Sequence, residues 1–482
     1  MSVRLACLLL CCRILAAADR TNVATLPGLD GALPSRLETG YVRRRPSVIL
    51  PPYVTVDEEH GAELFYYFVE SEGDPGTDPV LLWLNGGNRC SVLSALFFEI
   101  GPVKLVIEPY NGGLPRLRYH PYSWTKVTSI IFVDSPVGAG FSFSRDPGGY
   151  NVGDVSSTLQ LVKFVNKWFV EHPEFLANPL YVGGESYAGK LVPFLVQKIS
   201  EDTEAGVKPV PNLKGYLVGN PSTGESIDHD TVVPYAHGVG IISDQLYELS
   251  PSCMHFDRRN QDDIGELRER GLCQSQERNL RSSNEQLIGE VWGAHILYKN
   301  CIDASPKPDD ATAGRKILKE EIVVQNRLPP RPAMDCQTYP NYLSYFWANS
   351  NITRETLRIK KGTVDEWVRC DDDGLLPYSG DLGSINKRLF IQLNYYFSFM
   401  YSGDHDSIVP FLGTQAWVRS LNYPILDDWR AWHTDGQSAG FTVTYANSLT
   451  FATIKGGGHT APEYQPERCL AMFGRWISEK PL

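Results

Sequence analysis

Short apolar and aromatic runs closed by Gly, Pro or Asp alternate along this chain with stretches whose apolar residues recur three and four apart. Residues 63–70 (ELFYYFVE), 79–84 (PVLLWL) and 129–135 (SIIFVDS) are of the first kind and are bounded as strands should be. Residues 155–170 are of the second kind, with Leu159, Val162, Phe164, Val165, Trp168 and Phe169 at helical spacing. At 179–199, PLYVGGESYAGKLVPFLVQKI, a strand runs through a sharp glycine-rich turn into an amphipathic helix. Strands and helices in alternation predict an α/β fold, a mostly parallel sheet covered by helices on both faces.

The pattern breaks between about residues 252 and 335. Charged, helix-like segments there carry Cys253, Cys273 and Cys301, and the Pro- and Lys-rich stretch from 302 to 335 reads as a solvated linker open to proteolysis. The sheet pattern resumes at 388–411, and 449–477 gives a strand, a loop holding His459 and a closing helix. The expected organisation is a signal peptide at 1–18, with Arg4 before an apolar run and Ala16-Ala17-Ala18 before the cut, and then a single domain, 19–482, carrying the inserted cap.

Charge and cysteine content narrow the class. With 56 acidic and 45 basic residues the net charge is −11, and no basic stripe offers itself to a nucleic acid. No later segment reaches 18 uninterrupted apolar residues, so no membrane span is expected. Seven cysteines remain after the signal, widely spaced and without a C-x-x-C pair. That predicts disulfides in an oxidising compartment, one thiol left over, no metal and no cofactor. Asn351-Ile352-Thr353 is a glycosylation sequon, whereas Pro221 excludes Asn220-Pro221-Ser222. The expected location is the secretory pathway, ending in the vacuole or outside the cell.

Ser186 in GGESYAG stands at the crest of the strand-to-helix turn, in G-x-S-x-G spacing with Ala188 in the last place. In the α/β-hydrolase fold an acid and then a histidine follow such a serine, each on a loop after a strand. YSGDHDSIVP offers Asp404 and Asp406, and KGGGHTAPE offers His459, in that order. His459 would take the serine proton and the acid would hold the imidazole tautomer. One oxyanion donor is the N–H of Tyr187; the second should come from a loop after an early strand, and Asn85-Gly86-Gly87 is such a loop.

These segments, with LPGLDGALPSRLETGYV at 26–42, FFEIGP at 97–102 and VDSPVGAGFSF at 133–143, resemble the serine carboxypeptidase family over nearly the whole mature chain. The resemblance implies that Asp406, the second aspartate of G-D-x-D, is the acid, and that Gly87 and Tyr187 donate to the oxyanion. It also implies that Asn85, Gly86, Glu99 and Glu185 hold a substrate's terminal carboxylate. Two carboxyls sharing a site keep one proton between them, which predicts an acidic working range. It further suggests a disulfide from Cys90 to the segment after the cap, at Cys336.

The tail from 412 to 463 and Lys190 are similar to the plant serine carboxypeptidase-like branch, some members of which transfer acyl groups from glucose esters. Peptide hydrolysis and acyl transfer use one acyl-enzyme and differ in whether water or a hydroxyl attacks it. One departure stands out: the family pattern N-G-G-P-G-C-S reads here with Asn88 and Arg89 in place of Pro and Gly. A left-handed arginine costs on the order of 1–2 kcal/mol and a long cation could block the pocket. A third reading is therefore a catalytically impaired member kept for binding or assembly.

Overall fold

The computed structural model describes residues 21–23, 25–39, 53–87, 89–248, 284–302, 304, 328–371, 374–383, 393 and 395–482. The expected signal peptide, Asn88, Cys253, Cys273 and most of the linker lie outside the described residues.

Twelve strands among these residues form one sheet. In chain order they are β1 (Thr21–Val23), β2 (Leu37–Thr39), β3 (Tyr53–Asp57), β4 (Ala62–Val69), β5 (Val80–Leu84), β6 (Ser129–Val133), β7 (Leu180–Glu185), β8 (Leu213–Gly219), β9 (Phe397–Gly403), β10 (Ile425–Thr434), β11 (Gln437–Tyr445) and β12 (Leu449–Ile454). Their spatial order is β1-β2-β4-β6-β5-β7-β8-β9-β12-β11-β10, with β3 paired to β4. From β6 through β12 the six central strands pair in parallel. The strands outside them pair antiparallel.

The strands β4, β5 and β6 are buried along their whole length because both faces of the sheet are covered there. On β4, Leu64, Tyr66 and Phe68 enter one core cluster, while Phe65, Tyr67 and Val69 enter the other. The first face is covered by α1 (Asp154–Glu171) and α2 (Ala188–Glu204), the second by α3 (Tyr339–Asn349) and the closing helix α5 (Pro466–Ile477). The helix α4 (Phe411–Arg419) adds Trp417 and Val418 to the first.

On α1 the helical stripe differs from the expected one by a single position: Leu159 is exposed and Leu161 is buried. The buried set Leu161, Val162, Val165, Trp168 and Phe169 keeps the three-and-four spacing, and Leu159 falls on the opposite side.

The disulfides require a larger correction. Cys90 is bonded to Cys370, not to Cys336, and Cys336 is bonded to Cys301. The backbone explains the exchange. Ser91 N donates to Arg369 O at 2.6 Å, which lays the turn after β5 beside residue 370. Thr338 Oγ1 donates to Ile302 O at 2.9 Å, holding the segment before α3 beside residue 302. Cys469, on α5, is buried and free.

Because Leu195 of α2 is wholly buried against the sheet, Leu195→Ala should lower unfolding free energy by about 2–5 kcal/mol. Denaturant melts of protein with its disulfides intact would read this; a change below about 1 kcal/mol would contradict the packing described.

Candidate active site

The central parallel strands deliver their loops to one edge of the sheet. Leu84, the last residue of β5, lies opposite Gly184 of β7, and Glu185 lies opposite Gly219 of β8. Gly219 pairs with Tyr401, and Gly403 of β9 with Ile454 of β12. The segments 85–87, 186–188, 220–222, 404–406 and 456–459 therefore leave neighbouring strands at the same level, at their carboxyl ends.

Ser186 has φ +54, a left-handed conformation that costs a non-glycine residue energy unless its surroundings impose it. They do: Ser186 N donates to Gly219 O, and Ser222 N donates to Ser186 O, both at 2.9 Å. The turn also needs small neighbours. A Cβ on Gly184 would come within 2.8 Å of Ala188 Cβ and 2.7 Å of Leu84 O. One on Gly86 would come within 2.6 Å of Ser186 Cβ.

The serine hydroxyl lies 2.8 Å from His459 Nε2, and His459 Nδ1 lies 2.8 Å from Asp406 Oδ2. With Nδ1–H donating to Asp406, Nε2 is left to accept from the hydroxyl. Burial pulls the imidazole pKa down, but the charge of Asp406 and its hydrogen bond outweigh that and leave it above the ordinary 6.5. Asp406 is fully buried and also accepts from Ile408 N at 2.8 Å and from Asn220 Nδ2 at 2.7 Å. Asp404 faces elsewhere, accepting from Gly456 N at 2.7 Å and so joining the aspartate loop to the histidine loop.

Two supports were not expected from the sequence. Asn220, left-handed at φ +41, donates to Asp406 and accepts from Gly403 N, so it fastens the end of β8 to β9. Its only visible signal was a polar residue directly after a strand in GNPSTGE. The second is the backbone of residues 293–296. Ala294 O accepts from His459 N at 2.7 Å, Gly293 O from Ser407 N at 3.0 Å, and His405 O from Ile296 N at 3.1 Å. A backbone strap thus pins both loops, and no side-chain pattern announces backbone contacts.

Glu99 arrives by a different device. Residues Ala95–Glu99 form one π-helical turn, with Ile100 N donating to Ala95 O at 3.0 Å, and the turn buries Glu99 beside Glu185. The two carboxyls lie close enough for each to shift the other. Burial, and then the neighbouring Glu463, push Glu99 up to about 8. Burial and the Glu99 charge push Glu185 well above the carboxylate range. Glu463 is a third acid that the sequence did not single out; Thr460 Oγ1 donates to it at 2.8 Å and burial raises it as well. Asn85 stands at the start of the glycine loop, its Nδ2 within 3.5 Å of Gly86 O. Tyr187 begins the turn into α2, its hydroxyl donating to Asp154 at 2.8 Å, with Lys190 Nζ 4.2 Å above its ring.

Gly87 has φ +76, and a Cβ there would come within 2.5 Å of Cys90 Sγ, so the glycine loop is packed directly on the disulfide. Arg89 is left-handed too, at φ +49, but its side chain is buried, and backbone carbonyls of Val137, Tyr150 and Pro377 accept from its guanidinium. Asn351 is exposed at the first position of a short helix, Asn351–Thr356. No helix among the described residues is long and apolar enough to cross a membrane, and no cluster of His, Cys, Asp or Glu there could hold a metal ion.

A parallel sheet with a serine at the strand-to-helix crest, and a histidine and acid on later loops, defines the α/β-hydrolase class. Within it, this chain belongs to the serine carboxypeptidase family, whose model matches residues 27–479. It is 42% identical to serine carboxypeptidase-like 19 of Arabidopsis thaliana, over 95% of this chain and 94% of that one. It is also 42% identical to serine carboxypeptidase-like 7 of the same plant, over 98% of each. The crystal structure of Kex1(delta)p, a prohormone-processing carboxypeptidase from Saccharomyces cerevisiae, shares the fold, with a TM-score of 0.67 and 17% identity over 95% of each chain.

Removing the Asn220 amide leaves the buried Asp406 short of a donor. Asn220→Ala should therefore cost on the order of 1.5–3 kcal/mol of stability, the usual worth of a hydrogen bond to a charged group. Equal denaturation midpoints for variant and wild type would show that the bond contributes nothing.

Proposed function

We propose that the protein acts as a serine-type carboxypeptidase through an acyl-enzyme on Ser186. The observation that carries this reading is the unbroken run from Ser186 Oγ through His459 to Asp406, with both contacts at 2.8 Å. In the first step Ser186 Oγ bonds to the acyl carbon while His459 Nε2 takes its proton, and Asp406 stabilises the imidazolium. The oxyanion is held by the N–H groups of Gly87 and Tyr187. Collapse breaks the bond to the leaving group, which takes the proton from His459, and water repeats the cycle in reverse roles to release the acid. Protonated Glu99 and Glu185 would donate to the C-terminal carboxylate of a peptide, with Asn85 and Gly86 completing its contacts.

A second reading is acyl transfer from a glucose ester to a hydroxyl acceptor. Its support is that Asn85 Oδ1, Glu99 Oε2 and Glu185 Oε2 are buried acceptors with no hydrogen-bond partner among the described residues. Sugar hydroxyls supply the donors such oxygens need. The third reading, an impaired binding or assembly protein, rests on the strain at Arg89. The two described disulfides favour the secretory pathway, vacuolar or extracellular, as the place of action.

Intact mass after treatment with a fluorophosphonate should show one adduct, lost in Ser186→Ala. No adduct on folded, disulfide-intact protein would leave the third reading standing. With a peptide, or an acyl-glucose plus a hydroxyl acceptor, the ratio of free acid to new ester then separates the first two.

The pH profile has two limbs. Turnover should fall as pH drops through the raised His459 pKa, above 6.5, because the protonated ring cannot accept the serine proton. Affinity for a carboxylate-bearing product should fall as pH rises through about 8, where Glu99 loses its proton. Burial thus moves the expected window upward from the acidic range that carboxyl pairing alone implies. Affinity that stays flat from pH 6 to 9 would remove the shared-proton account.

A further inference from the structure

We propose that Arg89 is a positioning residue, whose buried guanidinium fastens the glycine loop facing Ser186 to the loops that wall the site. The proposal rests on the acyl-enzyme reading above and assigns the family's missing glycine a replacement role. Arg89 keeps the left-handed backbone, φ +49, that a glycine favours at this place. Its side chain then does what a glycine cannot. Only 2% of the residue is exposed, and its guanidinium reaches three separate loops. Nη1 donates to Val137 O, and Nη2 donates to Tyr150 O at 2.8 Å and to Pro377 O at 2.5 Å.

The surroundings are shaped around this group. A Cβ on Gly138 would come within 2.8 Å of Arg89 Nη1, so the loop after β6 leaves room for the cation by having no side chain there. The guanidinium carbon lies 5.9 Å from the centre of the Tyr378 ring. Tyr378 and Tyr187 both donate to Asp154 Oδ1 at 2.8 Å. The connection therefore runs from Arg89 through Tyr378 and Asp154 to Tyr187, the residue that follows the serine. The next residue along the chain, Cys90, is bonded to Cys370 and fills the space beside Gly87. Disulfide and guanidinium act on the same short loop from adjacent positions: one reaches residue 370, the other residue 377. Both sides of the oxyanion site, Gly87 and Tyr187, are thereby referred to one frame.

This is the opposite of the third reading, in which a left-handed arginine strains the loop or blocks the pocket. Arg89→Gly relieves the backbone, so a strained or blocking arginine predicts faster acylation, whereas a positioning arginine predicts slower acylation. The rate of fluorophosphonate labelling at Ser186 should fall at least 10-fold in Arg89→Gly, with kcat falling in the same proportion and KM held within about twofold. Millimolar methylguanidinium should restore part of the rate in Arg89→Gly and none in wild type, a rescue that general loosening of the fold would not give. Arg89→Lys serves where Arg89→Gly yields no folded protein; it keeps the charge but lacks the fork that reaches several carbonyls, and should also lose kcat while keeping KM. Labelling in Arg89→Gly, or kcat in Arg89→Lys, equal to or above wild type would overturn the proposal. Wild-type protein that does not label at Ser186 would overturn the acyl-enzyme reading itself, and the role of Arg89 with it.

Discussion

The arrangement depends on one strained residue held in place by its neighbours. Ser186 adopts φ +54 because β7 must turn into α2 within two residues, and a serine does not stay there unaided. The constraint is supplied by two backbone hydrogen bonds to β8 and the loop after it, and by glycines on both sides that let β5 and β7 approach. Any side chain at Gly86 or Gly184 would meet the serine turn itself. The left-handed backbone is what lifts the hydroxyl out of the strand and presents it to His459.

From that point the site is built by level. Parallel strands end together, so loops far apart in sequence meet without long excursions. Ser186 and His459 are 273 residues apart and their side chains lie 2.8 Å from each other. Fixing those loops falls to groups that do not react: the Asn220 amide, the Asp404 carboxylate and the backbone of residues 293–296. The acids obey a different rule. Glu99, Glu185 and Glu463 lie where water is scarce, so each keeps its proton to higher pH than an exposed carboxyl would.

Much of the fold was legible because its signals are local. Apolar runs bounded by turn residues marked β4, β5, β6 and β7, and the periodic stretch between β6 and β7 marked α1 to within one residue of its stripe. The chain order of Ser186, Asp406 and His459 narrowed the candidate site before any distance was known. The disulfides were not legible in the same way. Spacing carries no connectivity, and the exchange of Cys336 for Cys370 came from a backbone bond between Ser91 and Arg369 that no residue type encodes. Arg89 is the sharpest case: in sequence it reads as damage, and in the folded chain three carbonyls surround it.

The sequence by itself determined the alternation of strand and helix, the glycines that a tight turn demands, and the order in which a serine, an acid and a histidine follow one another. These are set by steric limits and hydrophobic periodicity within a few residues of chain. Only the tertiary structure decided which aspartate meets His459, which cysteines pair, that Glu463 joins Glu99 and Glu185, and where the Arg89 side chain goes. Those outcomes depend on distances between segments tens to hundreds of residues apart, and such distances exist only once the sheet has brought the loops to one edge.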